Sequence, residues 1–247
     1  MSKKTRWILF GLAIVVFFVL SYLTIVFALG YKYDFSERAF VRMGSFRMVA
    51  NTCADVTING KPAGGTSFLG NTFSKTRLLP RTYAVSLDKE DYHPWQKKIT
   101  VSGGLFTDFP KVVLVPLELP LEQVATGSFG FQMLDDKIRE TKGKLLSFDD
   151  HDITIVWTSD TDYQPFHREG DTELLIHLPQ KINDVQWYKD HDHIFVSTGG
   201  VLYFYEIDRR GGLNPYELSK LTGPFFYDSD TLTLLLNKQL VKYKVNF

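Results

Sequence analysis

The pattern of apolar and polar positions changes twice along the chain, and its first part is an unbroken apolar stretch. Residues 7–29, WILFGLAIVVFFVLSYLTIVFAL, contain no charged side chain. About 20 predominantly apolar residues in a helix are enough to cross the hydrocarbon core of a bilayer. The stretch therefore predicts a transmembrane helix and, with it, a single-pass protein of the cell membrane.

Basic residues flank this stretch in equal number on both sides: Lys3, Lys4, Arg6, Lys32, Arg38 and Arg42. A short basic head commonly stays in the cytoplasm, whereas a long domain that follows can cross regardless of its charge. We predict a cytoplasmic head at 1–6 and an extracytoplasmic body. A cleaved secretory signal is the less favoured alternative, because signal apolar regions usually span about 7 to 15 residues.

The second part of the pattern alternates apolar and polar residues with a period of two. After a juxtamembrane segment at 30–43, such runs occur at 46–50, 55–58, 82–87, 98–101 and 111–117. Alternation over four to eight residues between turn signals is typical of half-buried strands. Five short strands predict a small β-sandwich over 44–117.

The third part is a repeat that follows a predicted linker at 118–142. FDDHDITIV (148–156), YKDHDHIFV (188–196) and YDSDTLTLL (227–235) share an aromatic residue, an Asp-x-Asp and an alternating strand. A period near 40 residues with several strands per unit is typical of β-propeller blades. We expect propeller-like antiparallel β-repeats over 143–247.

Two complete units and a partial third are fewer than the four blades that a closed ring requires. We therefore expect an incomplete ring, either as an open stack or with its unpaired edges covered in a homo-oligomer. The predicted fold class is all-β, with an N-terminal transmembrane helix, a small β-sandwich and a propeller-like repeat.

The amino-acid composition supports the all-β fold class and argues against nucleic acid as a partner. Aromatic residues make up 15% of the chain, and 28 Lys and Arg balance 28 Asp and Glu. Strands favour aromatic and β-branched side chains, and a chain without net positive charge is not expected to bind nucleic acid. Cys53 is the only cysteine, so no intrachain disulfide forms and we interpret this residue as part of the packed interior.

The glycine-rich segment ADVTINGKPAGGT (54–66) raises the question of a phosphate-binding loop. Such a loop requires Gly-x-x-x-x-Gly-Lys-Ser/Thr followed by a helix, whereas Lys61 follows the first glycine and no helical period comes after Gly65. Asn59-Gly60 after an alternating strand is instead the strongest short hairpin signal. The segment predicts a turn, and we expect no cofactor.

Residues 46–117 resemble the PEGA domain, a small β-sandwich of bacterial and archaeal surface proteins. The resemblance rests on A-x-V-x-I-N-G from Ala54 to Gly60, on L-x-P-x-x-Y-x-V from Leu78 to Val85, and on the closing K-K-I-T-V. The sequence departs from the family at Asn51, Thr52 and Cys53, where the name-giving Pro-Glu-Gly should stand. The resemblance implies a non-catalytic extracytoplasmic module that contacts envelope carbohydrate or protein.

The Asp- and His-rich runs at 149–152 and 190–193 look at first like metal ligands. They recur at what we predict to be the same turn of each unit, between its first two strands, where Asp favours turn geometry and remains solvated. The third copy carries Ser229 in place of the histidine. We therefore predict turns, and no metal site.

No catalytic motif stands out in the chain. The Gly-x-Ser-x-Gly motif of serine hydrolases does not occur. The sequence does not exclude a glycosidase, whose two catalytic carboxylates carry no local motif. The candidate contact residues are Tyr92, His93 and Trp95, because loop aromatics can stack on sugars or anchor a protein; the alternative is that Tyr92 and Trp95 cap the core.

The sequence as a whole predicts a non-enzymatic, membrane-anchored binding or scaffold protein. Its expected partners are the bilayer, through residues 7–29, and an envelope carbohydrate or protein. The alternatives are a sensory or regulatory subunit of a membrane complex, and an extracytoplasmic hydrolase.

Overall fold

Strands form nearly all the regular structure that follows one N-terminal helix. The computed structural model describes residues 2–126, 137–228, 230–237 and 239–247. The predicted fold class, all-β after an apolar helix, is confirmed. The described residues form two compact units: one comprises 2–47, 74–82 and 100–107, and the other 48–73, 83–99 and 108–247. The division therefore does not follow the predicted boundary at 117.

Helix α1 (Lys3–Ala28) begins four residues before the predicted span. Ser2 caps it by accepting a hydrogen bond from the backbone N–H of Thr5 at 3.2 Å. None of its residues is buried. In length and composition α1 is suited to cross a membrane, a criterion that a signal sequence near the N-terminus also meets.

A short hairpin follows α1 directly and occupies the predicted juxtamembrane segment. It consists of β1 (Tyr31–Asp34) and β2 (Ala39–Arg42), paired antiparallel with Tyr33 opposite Phe40. The Asp34 carboxylate accepts the backbone N–H of Ser36 at 2.9 Å and pairs with Arg81 at 3.0 Å. The hairpin is thus tied into the first unit through its Asp34 side.

Two sheets account for residues 44–112. Their strands are β3 (Gly44–Ala50), β4 (Asp55–Ile58), β5 (Lys61–Gly65), β6 (Thr72–Leu78), β7 (Arg81–Asp88), β8 (Trp95–Val101) and β9 (Phe106–Val112). One sheet has the order β6-β3-β9 and the other β5-β4-β7-β8. Sequence patterning missed β5 and β6, whose residues are mostly exposed, and placed the last strand too far toward the C-terminus.

The glycine-rich segment is a hairpin, as predicted. β4 pairs antiparallel with β5, and Ile58 lies opposite Lys61. Asn59 and Gly60 between them have φ values of 51° and 72°, the conformation that a type I′ turn requires. The Asn59 side-chain carbonyl also accepts the backbone N–H of Ala84 at 2.9 Å, which secures the turn to β7.

Three four-stranded sheets account for the rest of the described chain. Their strands are β10 (Leu121–Thr126), β11 (Ile138–Thr141), β12 (Lys144–Phe148), β13 (Asp152–Trp157), β14 (Thr172–His177), β15 (Ile182–Trp187), β16 (His193–Thr198), β17 (Val201–Glu206), β18 (Pro215–Lys220), β19 (Phe225–Asp228), β20 (Thr231–Leu236) and β21 (Gln239–Lys244). The sheet orders are β11-β12-β13-β14, β15-β16-β17-β18 and β10-β21-β20-β19.

The predicted linker at 118–142 contains strands, so it is not a linker over its whole length. β10 pairs antiparallel with β21, with Val124 opposite Val241, and thereby completes the last sheet with the first strand of the region. β11 opens the first sheet. Residues 127–136 of this segment lie outside the described residues.

Two apolar cores hold the three sheets together. One is formed by side chains of the first and second sheets, including Leu146, Ile155 and Val196. The other joins the second and third sheets and also takes in Val113 and Val115, which follow β9. Because Val113 and Val115 are buried there, the end of β9 is fixed against the second sheet.

Candidate functional site

The most elaborate polar arrangement in the second unit surrounds Asp192. We use the name Asp192 cluster for Lys111, Lys144, Tyr163 and Asp192. Lys111 lies on β9, Lys144 begins β12, Tyr163 lies in the loop between β13 and β14, and Asp192 lies in the turn between β15 and β16. Four separate segments of the chain therefore meet at one carboxylate.

The Asp192 carboxylate is saturated with donors. Tyr163 Oη lies 2.8 Å from each of its oxygens. Lys144 Nζ contacts Oδ1 and Lys111 Nζ contacts Oδ2. A buried carboxylate is costly unless it is paired and hydrogen-bonded, and here two cations and a hydroxyl meet that requirement.

The two lysines have further acceptors. Lys144 Nζ donates to the backbone carbonyl of His191 at 2.8 Å and lies 3.2 Å from Tyr163 Oη. Lys111 Nζ donates to the backbone carbonyl of Asp190 at 2.8 Å. Burial lowers the pKa of Lys144, and the Asp192 charge opposes this. Burial and the same charge raise the pKa of Tyr163, so its hydroxyl remains a donor.

The turn that carries Asp192 is organised by Asp190. Its Oδ1 accepts the backbone N–H groups of Asp192 and His193 at 2.9 and 3.1 Å, and its Oδ2 lies 2.6 Å from His193 Nδ1. The His193 ring stacks on Phe204, with centroids 5.1 Å apart. The prediction that this Asp-x-Asp remains solvated is wrong, because Asp192 and His193 are buried.

The first copy of the motif makes the same kind of turn one residue earlier. Asp149 Oδ1 accepts the backbone N–H groups of His151 and Asp152, each at 2.8 Å. These two donors lower the pKa of Asp149. The turn role is therefore confirmed, but this copy joins β12 and β13, the second and third strands of its sheet, and not the first two as predicted.

A second buried arrangement centres on Glu206, the last residue of β17. Lys97 Nζ on β8 lies 3.1 Å from Glu206 Oε1. Asn214 Nδ2 donates to the same oxygen at 2.6 Å, and Trp95 Nε1 donates to Oε2 at 3.2 Å. Burial raises the pKa of Glu206, against the effect of Lys97. These residues, the Glu206 cluster, join β8 to the second of the four-stranded sheets.

A small cavity separates the two clusters. Its volume is about 40 Å³, and Lys111, Lys144, Asp192 and Glu206 are among the residues that line it. A cavity needs about 10 to 15 Å³ of volume in this measure to hold one water molecule, whereas pockets for drug-sized ligands usually measure about 300 to 1,000 Å³. The cavity therefore suits water or a small ion, and is too small for a sugar ring or a nucleotide.

Stacked rings close one wall of this cavity. Trp157 on β13 and His167 in the following loop lie parallel, with centroids 3.6 Å apart and planes 11° from parallel. Burial lowers the pKa of His167. His167 lies in the same loop as Tyr163, so the stack restrains the loop that carries the donor to Asp192.

The three residues predicted as a partner contact have different environments. Trp95 is 1% exposed and donates a hydrogen bond to Glu206, so it is not available to an external ligand. The prediction that Trp95 contacts a partner was therefore wrong, and the alternative interpretation of Trp95 as a core residue is correct. Tyr92 and His93 are half-buried. The Tyr92 ring faces Lys89 Nζ at 4.2 Å, and the His93 ring lies 5.5 Å from that of Tyr216. A partner contact at these two remains a prediction.

Cys53, which the sequence suggested lies in the packed interior, is exposed. Its thiol donates to Asn71 Oδ1 at 3.1 Å. Among the described residues, no three His, Cys, Asp or Glu side chains converge as metal ligands would. Ser229, which entered the metal argument, lies outside those residues.

Comparison with known proteins adds little. No protein-family model matches the chain, and no curated protein sequence matches it. A solved structure from Bacteroides fragilis, described as a "putative membrane-associated protein of unknown function", is similar over 82% of this chain and 94% of its own, at 9% identity and a TM-score of 0.22. A likeness this weak supports no inference about fold or function.

Proposed function

We propose that this chain is a non-catalytic, membrane-anchored protein whose β-rich body lies outside the cytoplasm and binds a carbohydrate or protein of the cell envelope. The observation that carries the proposal is α1, a 26-residue helix without a single buried residue. A helix that is apolar on all sides requires an apolar environment, and the bilayer supplies it.

The polar clusters support a structural role for their own residues more than a catalytic one. The charged atoms of the Asp192 and Glu206 clusters contact one another, and the cavity between them holds about 40 Å³. Catalytic acids and nucleophiles must reach a substrate. These groups instead stabilise the packing of β8 and β9 against the first and second four-stranded sheets.

The fold supports the same proposal in two further ways. The Asn59-Gly60 hairpin and the two sheets at 44–112 are compatible with a PEGA-like module, and the three four-stranded antiparallel sheets are compatible with a propeller-like repeat. We propose both assignments. Binding residues lie disproportionately on loops that a rigid scaffold positions, and a β-rich body of this kind offers such loops to a partner.

Anchoring is tested with the full chain expressed in bacterial membranes and extracted with alkaline carbonate. We expect wild type to stay in the pellet. Ile14→Arg with Phe18→Arg should release it, because each arginine at the centre of a span costs about 2.5 to 3.5 kcal/mol. Thr76→Arg, at an exposed position outside α1, is the control. Release of wild type would overturn the anchor.

Topology is tested on intact cells, and binding is tested on the full chain in nanodiscs. Trypsin added to intact cells should cleave at exposed Arg168 and Arg209. Survival of the body while surface control proteins are cleaved would contradict an extracytoplasmic location.

For the binding test, the full chain in nanodiscs is applied to a glycan array and cross-linked in envelope extracts. Tyr92→Ala and His93→Ala should weaken the binding of any ligand that is found. Turnover of a polysaccharide or peptide would contradict the non-catalytic assignment.

A further inference from the structure

The hairpin of β1 and β2 is attached to the very end of α1. The backbone N–H of Gly30 donates to Phe27 O at 3.1 Å, and the N–H of Met43 donates to Gly30 O at 2.9 Å. The chain therefore leaves the helix at Gly30, forms the hairpin and returns to the same residue. Both ends of the hairpin lie at the C-terminus of α1.

The length of α1 places this attachment point at the membrane boundary. At 1.5 Å per residue its 26 residues extend about 39 Å, whereas the hydrocarbon core measures about 30 Å. If α1 spans the bilayer, as the proposed function requires, its last turn reaches the interfacial region. The hairpin then begins where the hydrocarbon ends.

Aromatic rings run without a break from the last turn of α1 to the hairpin tip. The Phe27 and Phe40 rings lie 6.4 Å apart, those of Phe40 and Tyr33 5.3 Å apart, and those of Tyr33 and Phe35 5.0 Å apart. Phe35 at the tip is 85% exposed. A contiguous exposed aromatic surface is uncommon on a body surrounded by water and indicates an interaction surface.

The hairpin directs this surface away from its own unit. Residues directly opposite in an antiparallel pair share a face, so Tyr33 and Phe40 lie on one face and Asp34 lies on the other. Asp34 is buried and pairs with Arg81 of the same unit at 3.0 Å. Since the Asp34 face is the one that packs, the aromatic face is left open.

Charge on the hairpin suits a lipid surface. Lys32, Arg38 and Arg42 are all exposed, whereas one of the two acids, Asp34, is neutralised by Arg81. Cationic side chains next to a span interact with anionic lipid headgroups, and aromatic rings concentrate at the membrane–water interface. The two features occur together on this hairpin.

We propose that the hairpin Tyr31–Arg42 lies in the headgroup region of the membrane that α1 crosses, with Tyr33, Phe35 and Phe40 in contact with lipid. The hairpin then fixes how deeply α1 inserts into the bilayer. This inference rests on the proposed function in one respect, namely that α1 spans the bilayer.

The test measures depth in the full chain, reconstituted in vesicles of phosphatidylcholine and phosphatidylglycerol. All variants carry Cys53→Ser, and a single new cysteine is labelled with the environment-sensitive dye NBD. Phe35→Cys probes the hairpin tip, and Glu37→Cys probes the same turn with all the aromatic residues retained. Val16→Cys at the middle of α1 is the deep reference, and NBD-cysteine in buffer is the aqueous reference.

We expect both hairpin probes to emit at shorter wavelength than NBD-cysteine and to be quenched more by lipid with a nitroxide at the headgroup than by lipid with one deep in the acyl chain. Val16→Cys should show the reverse order. If Val16→Cys is not quenched by the deep nitroxide, α1 does not span and the proposed function itself fails.

Two results would overturn the hairpin inference while α1 remains deep. Hairpin probes that emit like NBD-cysteine and are quenched by aqueous iodide would place the hairpin in water. Probes shielded from both iodide and lipid nitroxides would show that protein covers the aromatic face, from a second copy of this chain or from another partner.

Discussion

The backbone N–H of Lys98 on β8 donates to the carbonyl of Gly211 at 3.1 Å, and a Cβ on that glycine would lie 2.5 Å from the carbonyl oxygen of Lys98. The loop that follows β17 therefore contacts β8 through bare backbone. Gly211 also has a φ of +75°, which L-residues rarely adopt. Two separate requirements thus select glycine at this position.

Gly211→Ala should therefore destabilise the protein more than an ordinary glycine replacement. Gly60→Ala is a matched control, since Gly60 has a φ of +72° and no atom within 4 Å of a built Cβ. In Gly60→Ala the free energy of unfolding should fall by about 1 to 2 kcal/mol, because alanine must adopt a left-handed conformation. In Gly211→Ala it should fall by about 1 to 3 kcal/mol more, because the new Cβ also clashes with the Lys98 backbone. Urea unfolding of the detergent-solubilised chain, followed by tryptophan fluorescence, measures both. Equal losses would show that the contact with Lys98 relaxes freely.

Breaking the buried pair of the Glu206 cluster should cost more than removing it whole. Lys97→Met leaves the Glu206 charge unpaired and Glu206→Gln leaves the Lys97 charge unpaired, each at a cost of about 3 to 5 kcal/mol. The double variant leaves neither charge and should lose less stability than either single variant. The same unfolding measurement gives the coupling energy, and strictly additive losses would contradict a direct interaction.

Tyr163→Phe removes one donor from the buried Asp192 carboxylate. We expect a loss of about 1 to 3 kcal/mol, since a buried group would lose a hydrogen bond without gaining water. Phe166→Ser on the same loop is the control, because Phe166 is exposed and surface changes stay within about 0.5 kcal/mol. A loss no larger than that of the control would mean that water replaces the hydroxyl.

Asp149 should make stability depend on pH in the acid range. The N–H groups of His151 and Asp152 lower the pKa of this carboxyl in the folded state. The ionised carboxylate therefore stabilises the folded protein at pH values above its pKa in the unfolded chain, and this stabilisation is lost as the pH falls through its pKa in the folded protein. Asp149→Asn keeps an acceptor but cannot titrate. As the pH is lowered from 6 toward 3, the stability of wild type should fall relative to that of the variant. Parallel curves would refute the assignment.

Local chemistry made parts of this fold predictable. A turn with two positive φ angles needs Asn-Gly, so the β4–β5 hairpin follows from residues 59 and 60 alone. α1 follows from a run without charges. Asp149 and Asp190 were read correctly as turn residues, because a carboxylate that accepts N–H groups two and three residues later uses only its own neighbourhood.

The candidate site was not predictable in the same way, because its members come from distant segments. Lys97 carried one signal that sequence analysis did not use: it alternates in β8 with Trp95 and Ile99, both buried, so it occupies an inward position. An inward lysine requires a buried acid, but nothing near it in sequence identifies Glu206. Tyr163 and Lys111 carried no comparable signal, since a loop and a strand end follow no periodic pattern.

The pairing of β10 with β21 has a consequence for biosynthesis. β10 leaves the ribosome before any other strand of the three four-stranded sheets, whereas β21 is made after all of them. Until then Val124 and its neighbours have no partner on the edge that β21 later covers. Unpaired strands in incomplete chains promote aggregation. We therefore expect nascent chains that stall before residue 239, whose last sheet lacks β21, to depend on chaperones.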